Sequence, residues 1–537
     1  MANHQYEHKK LGFWEAYSIG VGGMIGGGIF AVLGLTILLA QGAAPIAFFL
    51  AGLIALITAY SYVKLSVRYP SEGGTVEFLV RGFGTGLFTG WLNTLLLASY
   101  MVMLALYAYA FGSYGAVLIS GEEILWLKKA LIVGVIAFFT LLNVLGAYVS
   151  GKVEDLMVLL KVLILLFFTL LGFMTADASR LSPENWAPLL RILTGGLIIF
   201  LAYEGFELIA NTARDVENPQ KILPRAFYAS VVSVMVIYVA VAAVAVGNLT
   251  YEQVEQAKDY ALAVAAEPFL GQLGFVLIGI AALFSTASAI NATLYGSARV
   301  SYMVARFGQL PQQFARRVWK NAYEGLFIIA LLTILAATTF NLENISNAGS
   351  LGFLLVFGAV NGANFKLARY TDANRWIALG GCVACIASAL VLVGYNLETQ
   401  PESLISSAIL VGGSLLFEGL YRIITHRKIA EYIDWRLHHQ ETFMRSYEEV
   451  LPRLLEEIKK RFADAEVYLT GHLARGEREK ASSVQLEVYT SEKLAAHQRK
   501  EEAERIRQQA ELAPYDPVYI EIHHTSEKRP EKAHQVL

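Results

Sequence analysis

Three short stretches place chemistry-bearing residues where a plain apolar helix would not have them. The first is SIGVGGMIGGGIF, residues 18–30. Each glycine in a helix interior costs about 1 kcal/mol relative to alanine. A lipid-exposed break in a membrane helix is not viable, but one that lines a cavity is. There, freed N–H groups at the positive end of a half-helix face an anionic group such as a carboxylate. Glycine also lets a ligand approach the backbone closely. Close helix packing through Gly-x-x-x-Gly spacing is the competing account of the same residues. The second stretch is FLAYEGFE, residues 200–207, which sets Glu204, Gly205 and Glu207 within an apolar run. A carboxylate at membrane depth costs roughly 3 kcal/mol and tends to be functional. The third is LLKVLILLFF, residues 159–168. Lys161 there either reaches the interface along its stem or sits in a dry site where desolvation lets it exchange a proton.

Long apolar helices must hold these residues. Hydrophobic residues make up 55% of the 537 and charged residues 16%, against about 25% charged in a soluble domain. Apolar runs of about 20 residues read as membrane-spanning helices. About twelve are expected, near 13–39, 44–63, 86–118, 125–146, 153–175, 191–212, 225–247, 273–303, 323–340, 346–366, 375–395 and 403–424. The segment around 251–272 reads as an outer loop with a short helix. Alternate loops are rich in basic residues, among them Lys64, Arg68, Arg81, Lys152, Arg214, Lys221, Arg316, Lys320, Lys366 and Arg369. The other loops hold few, such as Lys128, Lys129 and Arg180. This asymmetry places both termini in the cytoplasm. No cleavable signal peptide is apparent. Cys382 and Cys385 form a C-x-x-C inside one apolar segment, without a second pair or a nearby histidine. They read as small buried hydrophobes, and no metal or other cofactor is expected.

The interruptions fall in the first and sixth segments, corresponding positions in a five-plus-five inverted repeat and a pointer to a binding site. SIGVGGMIGGGIF, RYPSEGGTVEFL after the second segment, FLAYEGFE followed by DVENPQKILPRA, and SAINATLYGSARVSYMVARFGQLP occur in this order across about 420 residues. Together they resemble the amino acid–polyamine–organocation permeases. The resemblance implies an α-helical membrane protein of the leucine-transporter type. It would have two inverted five-helix repeats plus two helices, and carry amino acids or related amines by alternating access. It also implies unwound backbone around Ile25, Gly26, Gly27 and Gly28 in the first helix, and at Tyr203, Glu204 and Gly205 in the sixth. These form the expected substrate site. Leu201, Tyr107 and Glu207 are expected at a gate or pocket wall. Lys161, by the same resemblance, takes the place of a bound sodium ion. It would face carbonyls of the broken first helix and hydroxyls among Ser285, Thr286 and Ser288. The expected function is proton symport across the cytoplasmic membrane. The alternatives are an amino acid exchanger and an amino acid sensor signalling through the tail.

The tail, residues 426–537, differs in composition and reads as a small cytoplasmic α/β domain, distinct from the permease domain at 1–425. A helical pattern through Val450, Leu451, Leu454, Leu455 and Ile458 precedes strands in AEVYLTGHLARGE and SSVQLEVYT, a further helix and the strand VYIEIHH. The loop GHLARG, Gly471 to Gly476, resembles that of a minimal nucleotidyltransferase. His472 stands where that family has serine, and Ser483 and Gln485 stand where its two metal-binding aspartates belong. The resemblance therefore implies a catalytically dead domain that binds a nucleotide and regulates transport. A dimerisation module and a universal-stress-type domain are the other readings, so a homo-oligomer stays open. The paired histidines His438, His439, His523 and His524 read as surface residues. No nucleic-acid partner is expected.

Overall fold

The computed structural model describes residues 11–71, 73–84, 86–145, 151–306, 310–315, 317–319, 322–425, 450–474, 484–510, 518–526 and 534–536. The chain forms two compact units, Met1–Arg427 and Lys428–Leu537.

The first unit is helical. It opens with α1 (Phe13–Met24) and α2 (Gly28–Ala40), which meet at a 45° bend. There follow α3 (Ala44–Arg68), α4 (Thr75–Phe83), α5 (Leu87–Ser120), α6 (Leu125–Leu145), α7 (Gly151–Gly172) and α8 (Leu189–Ile199). The chain continues from α8 as a 3₁₀ helix, Phe200–Thr212. Then come α9 (Pro219–Asn248), the short α10 (Tyr251–Gln256) and α11 (Ala261–Val264), and α12 (Glu267–Arg306). Short strands β1 (Arg317–Trp319) and β2 (Ala322–Tyr323) precede α13 (Glu324–Thr339), α14 (Leu342–Lys366), α15 (Ala368–Thr371), α16 (Arg375–Thr399) and α17 (Ser403–Thr425). Among the described residues ten helices are long and apolar enough to cross a membrane, and the bent α1–α2 pair makes an eleventh span. The ninth expected span, α13, is apolar but only 16 residues long. This is a multi-pass membrane protein.

Local sequence explains several boundaries. Asn341 and Asn374 cap α14 and α16, accepting from the N–H groups of Asn344 and Trp376. Thr250 and Gln253 form a reciprocal capping box at the start of α10. Gly121 ends α5 at φ +80°, in the left-handed region. On α7, Leu159, Leu160, Leu163, Leu166 and Phe167 lie on an exposed apolar side. Val158, Lys161, Leu165 and Phe168 form the buried stripe at helical spacing. The lysine therefore lies on the inward face of α7, which packs against α1, α9 and α12.

In the second unit, α18 (450–461) leads to β3 (Glu466–Thr470), α19 (Gly471–Ala474), β4 (Val484–Thr490), α20 (Ala496–Gln509), β5 (Val518–His524) and β6 (His534–Gln535). The sheet order is β5-β4-β3-β6. β3 runs antiparallel to β4 and β6, and β4 is parallel to β5. Alternate residues Val467, Leu469, Leu486, Val488 and Ile522 share one core with Leu454, Ile458 and Ile506. His438, His439, Ser483 and the Arg475–Gly476 end of the loop lie outside the described residues.

Candidate functional site

The glycine stretch does break its helix. Regular bonding stops with the Ile25 N–H donating to Val21 O (2.7 Å) and resumes with the Ala31 N–H donating to Gly27 O (2.9 Å). The N–H groups of Gly26, Gly27 and Gly28 lie between, with no backbone acceptor among the described residues. Gly28 is already the first residue of α2. All four of Ile25, Gly26, Gly27 and Gly28 are buried. Side chains are excluded here by neighbours. A Cβ at Gly27 would stand 2.5 Å from a ring carbon of Tyr107 and 2.9 Å from Thr286 Cγ2. One at Gly28 would stand 2.4 Å from the Ala202 Cβ.

The freed carbonyls of the break are capped by hydroxyls from three other helices. Tyr107 of α5 donates to Gly23 O (3.4 Å), and Tyr238 of α9 to Met24 O (2.7 Å). Ser285 of α12 donates to Ile25 O (2.9 Å) and also approaches Gly26 O. The break is therefore asymmetric: its carbonyls from Gly23 to Gly26 meet hydroxyl donors, while its N–H groups at Gly26, Gly27 and Gly28 have no backbone acceptor among the described residues. That polarity suits an anionic group.

The sixth segment departs from the expectation. Tyr203, Glu204 and Gly205 do not unwind; they continue a 3₁₀ helix of 13 residues. The cause is packing, because a Cβ at Gly205 would stand 2.2 Å from the Gly23 carbonyl carbon. Backbone meets backbone there, and the tighter i→i+3 helix keeps its own hydrogen bonds while α1 leans on it. Tyr203 turns away from the break: its hydroxyl donates to Phe48 O at 3.0 Å, and its ring packs edge-on against Tyr238. Leu201 lies against Gly349 of α14.

The two glutamates differ in their surroundings. Glu207 is 0% exposed and accepts from Tyr62 (3.0 Å), Thr75 (2.8 Å) and Tyr100 (2.5 Å), side chains of α3, α4 and α5. Glu204 is 3% exposed, and its Oε2 has no hydrogen-bond partner among the described residues. Lys161 is 5% exposed. Of the hydroxyls expected near it, Ser285 serves the break and Thr286 donates to Ala282 O within α12, whereas Ser288 is half-buried. The structure thus brings Gly26, Gly27, Tyr107, Ser285 and Thr286 together. Tyr238 and the three hydroxyls around Glu207 are additions that sequence reasoning missed. Tyr238 is one of 27 tyrosines in the chain, and an apolar helix gives it no distinguishing neighbours.

Away from the break, Cys385 is buried beside Thr58 and Asn361, and Cys382 is half-buried; both are free thiols. Among the described residues no cluster of histidine, cysteine and carboxylates could hold a metal.

A broken helix held inside a bundle of membrane-length helices defines the fold of a multi-pass membrane protein. The same fold is found in a mutant manganese transporter of Eremococcus coleocola, with a TM-score of 0.51 and 14% identity over 81% of this chain and 97% of that one. The sequence profile described as "Amino acid permease" matches residues 11–413, and the chain belongs to that family. An uncharacterised protein of Methanocaldococcus jannaschii is 38% identical over 79% of this chain and 98% of its own length. An inner membrane transport protein of Escherichia coli is 34% identical over 78% and 97%. A branched-chain amino acid permease of Bacillus subtilis is 25% identical over 67% and 81%. The protein is a permease and not an enzyme. The family match ends before the C-terminal unit.

Proposed function

We propose that this protein carries amino acids or related amines across the cytoplasmic membrane by alternating access, with protons entering alongside the substrate. The observation that carries the reading is the polarity of the helix break. The open N–H groups of Gly26, Gly27 and Gly28 receive the substrate carboxylate, and the hydroxyl-capped carbonyls hold the break in shape. Lys161 supplies the coupling: it is buried on the inward face of α7, a helix that packs against α1, the half-helix that ends at the break, as well as against α9 and α12. Gaining and losing a proton in a dry site changes its solvation cost, which biases the bundle between its two facings. The asymmetry of basic residues between loops supports a cytoplasmic position for both termini.

For the C-terminal unit we propose a regulatory role in a nucleotidyltransferase-like frame. Its antiparallel β3–β4 pair and parallel β4–β5 pair support that frame. Gln485 on β4 is neutral and lacks the negative charge of a metal-binding carboxylate, so metal-dependent nucleotide incorporation by the protein would overturn this part of the reading.

The transport reading is tested with proteoliposomes in sodium-free buffer and an inward proton gradient. Wild type is expected to concentrate a labelled amino acid, and Lys161→Ala to lose the gradient-driven part. Uptake that ignores the gradient and needs internal amino acid would replace symport by exchange. Specific binding without uptake would favour a sensor.

A further inference from the structure

At one end of the membrane helices two cations stand on aromatic rings with no carboxylate to answer them. Lys366 is the last residue of α14 and Arg375 the first of α16, and both are exposed. Lys366 donates to Gly82 O (3.2 Å) and lies 4.8 Å from the centre of the Phe83 ring. The Arg375 guanidinium lies 4.9 Å from the centre of the Phe365 ring and 5.6 Å from that of Trp376. Among the described residues neither is paired with a carboxylate, and Glu77 of α4 is taken by Arg81 (2.8 Å). The turn between the two helices, LARYTDAN, adds Arg369 and one acid, Asp372. Lys64 of α3 adds another cation, donating to Asp372 O at 2.7 Å. Contact with a ring face holds a cationic head in place without neutralising it.

Deeper than these heads, α14, α16 and the end of α4 leave a shallow groove. Gly362 precedes Lys366 by four residues and shares its face of α14. Cys382 follows Arg375 by seven residues, two turns along the same face of α16. A Cβ at Gly362 would meet Phe83 at 3.5 Å and Cys382 Sγ at 3.6 Å, both ordinary contacts. The glycine is therefore the floor, with Phe83 on one wall and Cys382 on the other. Gly362 and Cys382 are both half-buried, so the groove opens outward. Phe88 of α5 packs edge-on against Phe83 at 5.2 Å and extends that wall to the surface. Beside the other wall Trp376, Ile377 and Val383 of α16 are exposed. Lys366 stands over the Phe83 wall and Arg375 heads the Cys382 wall. At a rise of 1.5 Å per residue, Gly362 lies about 6 Å and Cys382 about 10 Å deeper than the cations.

We propose that this groove retains one anionic phospholipid of the adjoining leaflet, its phosphate between Lys366 and Arg375 and an acyl chain along Gly362 and Cys382. Two requirements meet in that occupant. The cations call for an anion at the water boundary, through charge-assisted hydrogen bonds, and the groove calls for an apolar chain directly beneath it. Their separation along the helix axis is that of a phosphate from the start of its acyl chains. A soluble anion would satisfy the cations and leave the groove empty. A zwitterionic lipid would fill the groove but bring its own ammonium against the cations. Basic pockets between membrane helices select anionic head groups for the same reason.

The test is native mass spectrometry of the purified full-length protein, titrated with phosphatidylglycerol or with phosphatidylcholine of equal chain length. Wild type is expected to bind one phosphatidylglycerol about tenfold more tightly than phosphatidylcholine. Lys366→Gln combined with Arg375→Gln should weaken that binding roughly 10- to 30-fold and leave phosphatidylcholine unaffected. Cys382→Phe fills the groove without changing the charge and should weaken phosphatidylglycerol binding several-fold. Lys129→Gln removes an exposed cation at the opposite end of the helices and should change nothing. Should the double variant not fold, Arg375→Gln alone and Cys382→Phe still decide. Equal affinity of wild type for the two lipids would overturn the inference, as would a preference that survives loss of both cations. Full binding by Cys382→Phe would overturn it by leaving diffuse attraction to a basic surface. Competition by glycerol 3-phosphate at the lipid's own concentration would overturn it as well, since the site would then be one for a soluble anion.

Discussion

Glu207 shows how a carboxyl group is kept deep in the bundle. Three hydroxyls from three helices converge on it, and each is a donor to an ionisable acceptor. Such bonds are worth more than neutral ones, about 1.5–3 kcal/mol each. Tyr100→Phe removes the shortest of the three without leaving a hole. It is expected to destabilise the protein by roughly 1–3 kcal/mol and to lower the melting temperature of the purified protein accordingly. An unchanged melting temperature would mean that Tyr100 is dispensable to the cage. From FLAYEGFE, Glu204 is expected in the substrate site and Glu207 at a gate or pocket wall. Their separation into one caged and one open carboxylate depends on Tyr62, Thr75 and Tyr100, which lie 145, 132 and 107 residues away. No spacing rule links those positions.

At the scale of elements, the contact between α1 and the 3₁₀ segment is made by backbone. Gly205→Ala places a methyl 2.2 Å from the Gly23 carbonyl carbon and 2.4 Å from the Met24 nitrogen, neither of which can rotate aside. Overpacking of this kind costs about 1–3 kcal/mol. Loss of substrate binding is expected with it, because the break is displaced. Gly134→Ala on α6 is the control: nothing lies within 4 Å of the added carbon, so binding and stability should hold or improve slightly. Equal losses from both substitutions would contradict the backbone-contact account. In the second unit a single carboxylate fastens the end of β4. Asp464 accepts from the Thr490 hydroxyl (3.0 Å) and the Ser491 N–H (2.7 Å). Those bonds hold its carboxyl down to about 2. A group depressed on folding lends stability above its unfolded value and loses it as the pH falls through the folded one. The contribution is therefore full at neutral pH and disappears between roughly pH 4 and 2. Asp464→Asn should speed hydrogen exchange at the Ser491 amide at pH 6, and the difference from wild type should vanish near pH 2.

On the scale of the whole molecule, Lys128 joins parts of the chain far apart in sequence. Its ammonium lies 3.0 Å from Asp259, contacts Glu123 and sits 3.5 Å from the centre of the Tyr109 ring. Both Lys128 and Asp259 are buried. The α10–α11 connection that carries Asp259 packs on α2, where the Lys258 carbonyl stands 2.3 Å from where a Gly34 Cβ would be. Lys128→Met leaves a buried carboxylate uncompensated and is expected to cost about 3–5 kcal/mol. Lys128→Met combined with Asp259→Asn should recover part of that loss, and a double-mutant cycle on melting temperature measures how much. Strict additivity would show that the pair does not act as a unit. From the sequence Lys128 reads as an ordinary charge in an outer loop, since nothing local places Asp259 beside it.

Some properties of this protein are dictated by the order of its residues alone. The apolar runs give the membrane-length helices, because span length and hydropathy are local quantities. The glycine run gives the break between α1 and α2, because a segment so poor in helix propensity yields wherever other groups can take up its backbone bonds. Periodicity likewise gives the change to an α/β unit after the last span. Tertiary structure decided which groups take up those bonds. Tyr238 and Ser285 reach the break's carbonyls across 214 and 260 residues. It also decided that the sixth segment runs as a 3₁₀ helix, with Gly205 packed backbone to backbone against Gly23. Whether a helix breaks is a local matter of propensity. The polarity left at the break depends on donors brought from elsewhere in the chain, and that polarity is what fits the site to a substrate.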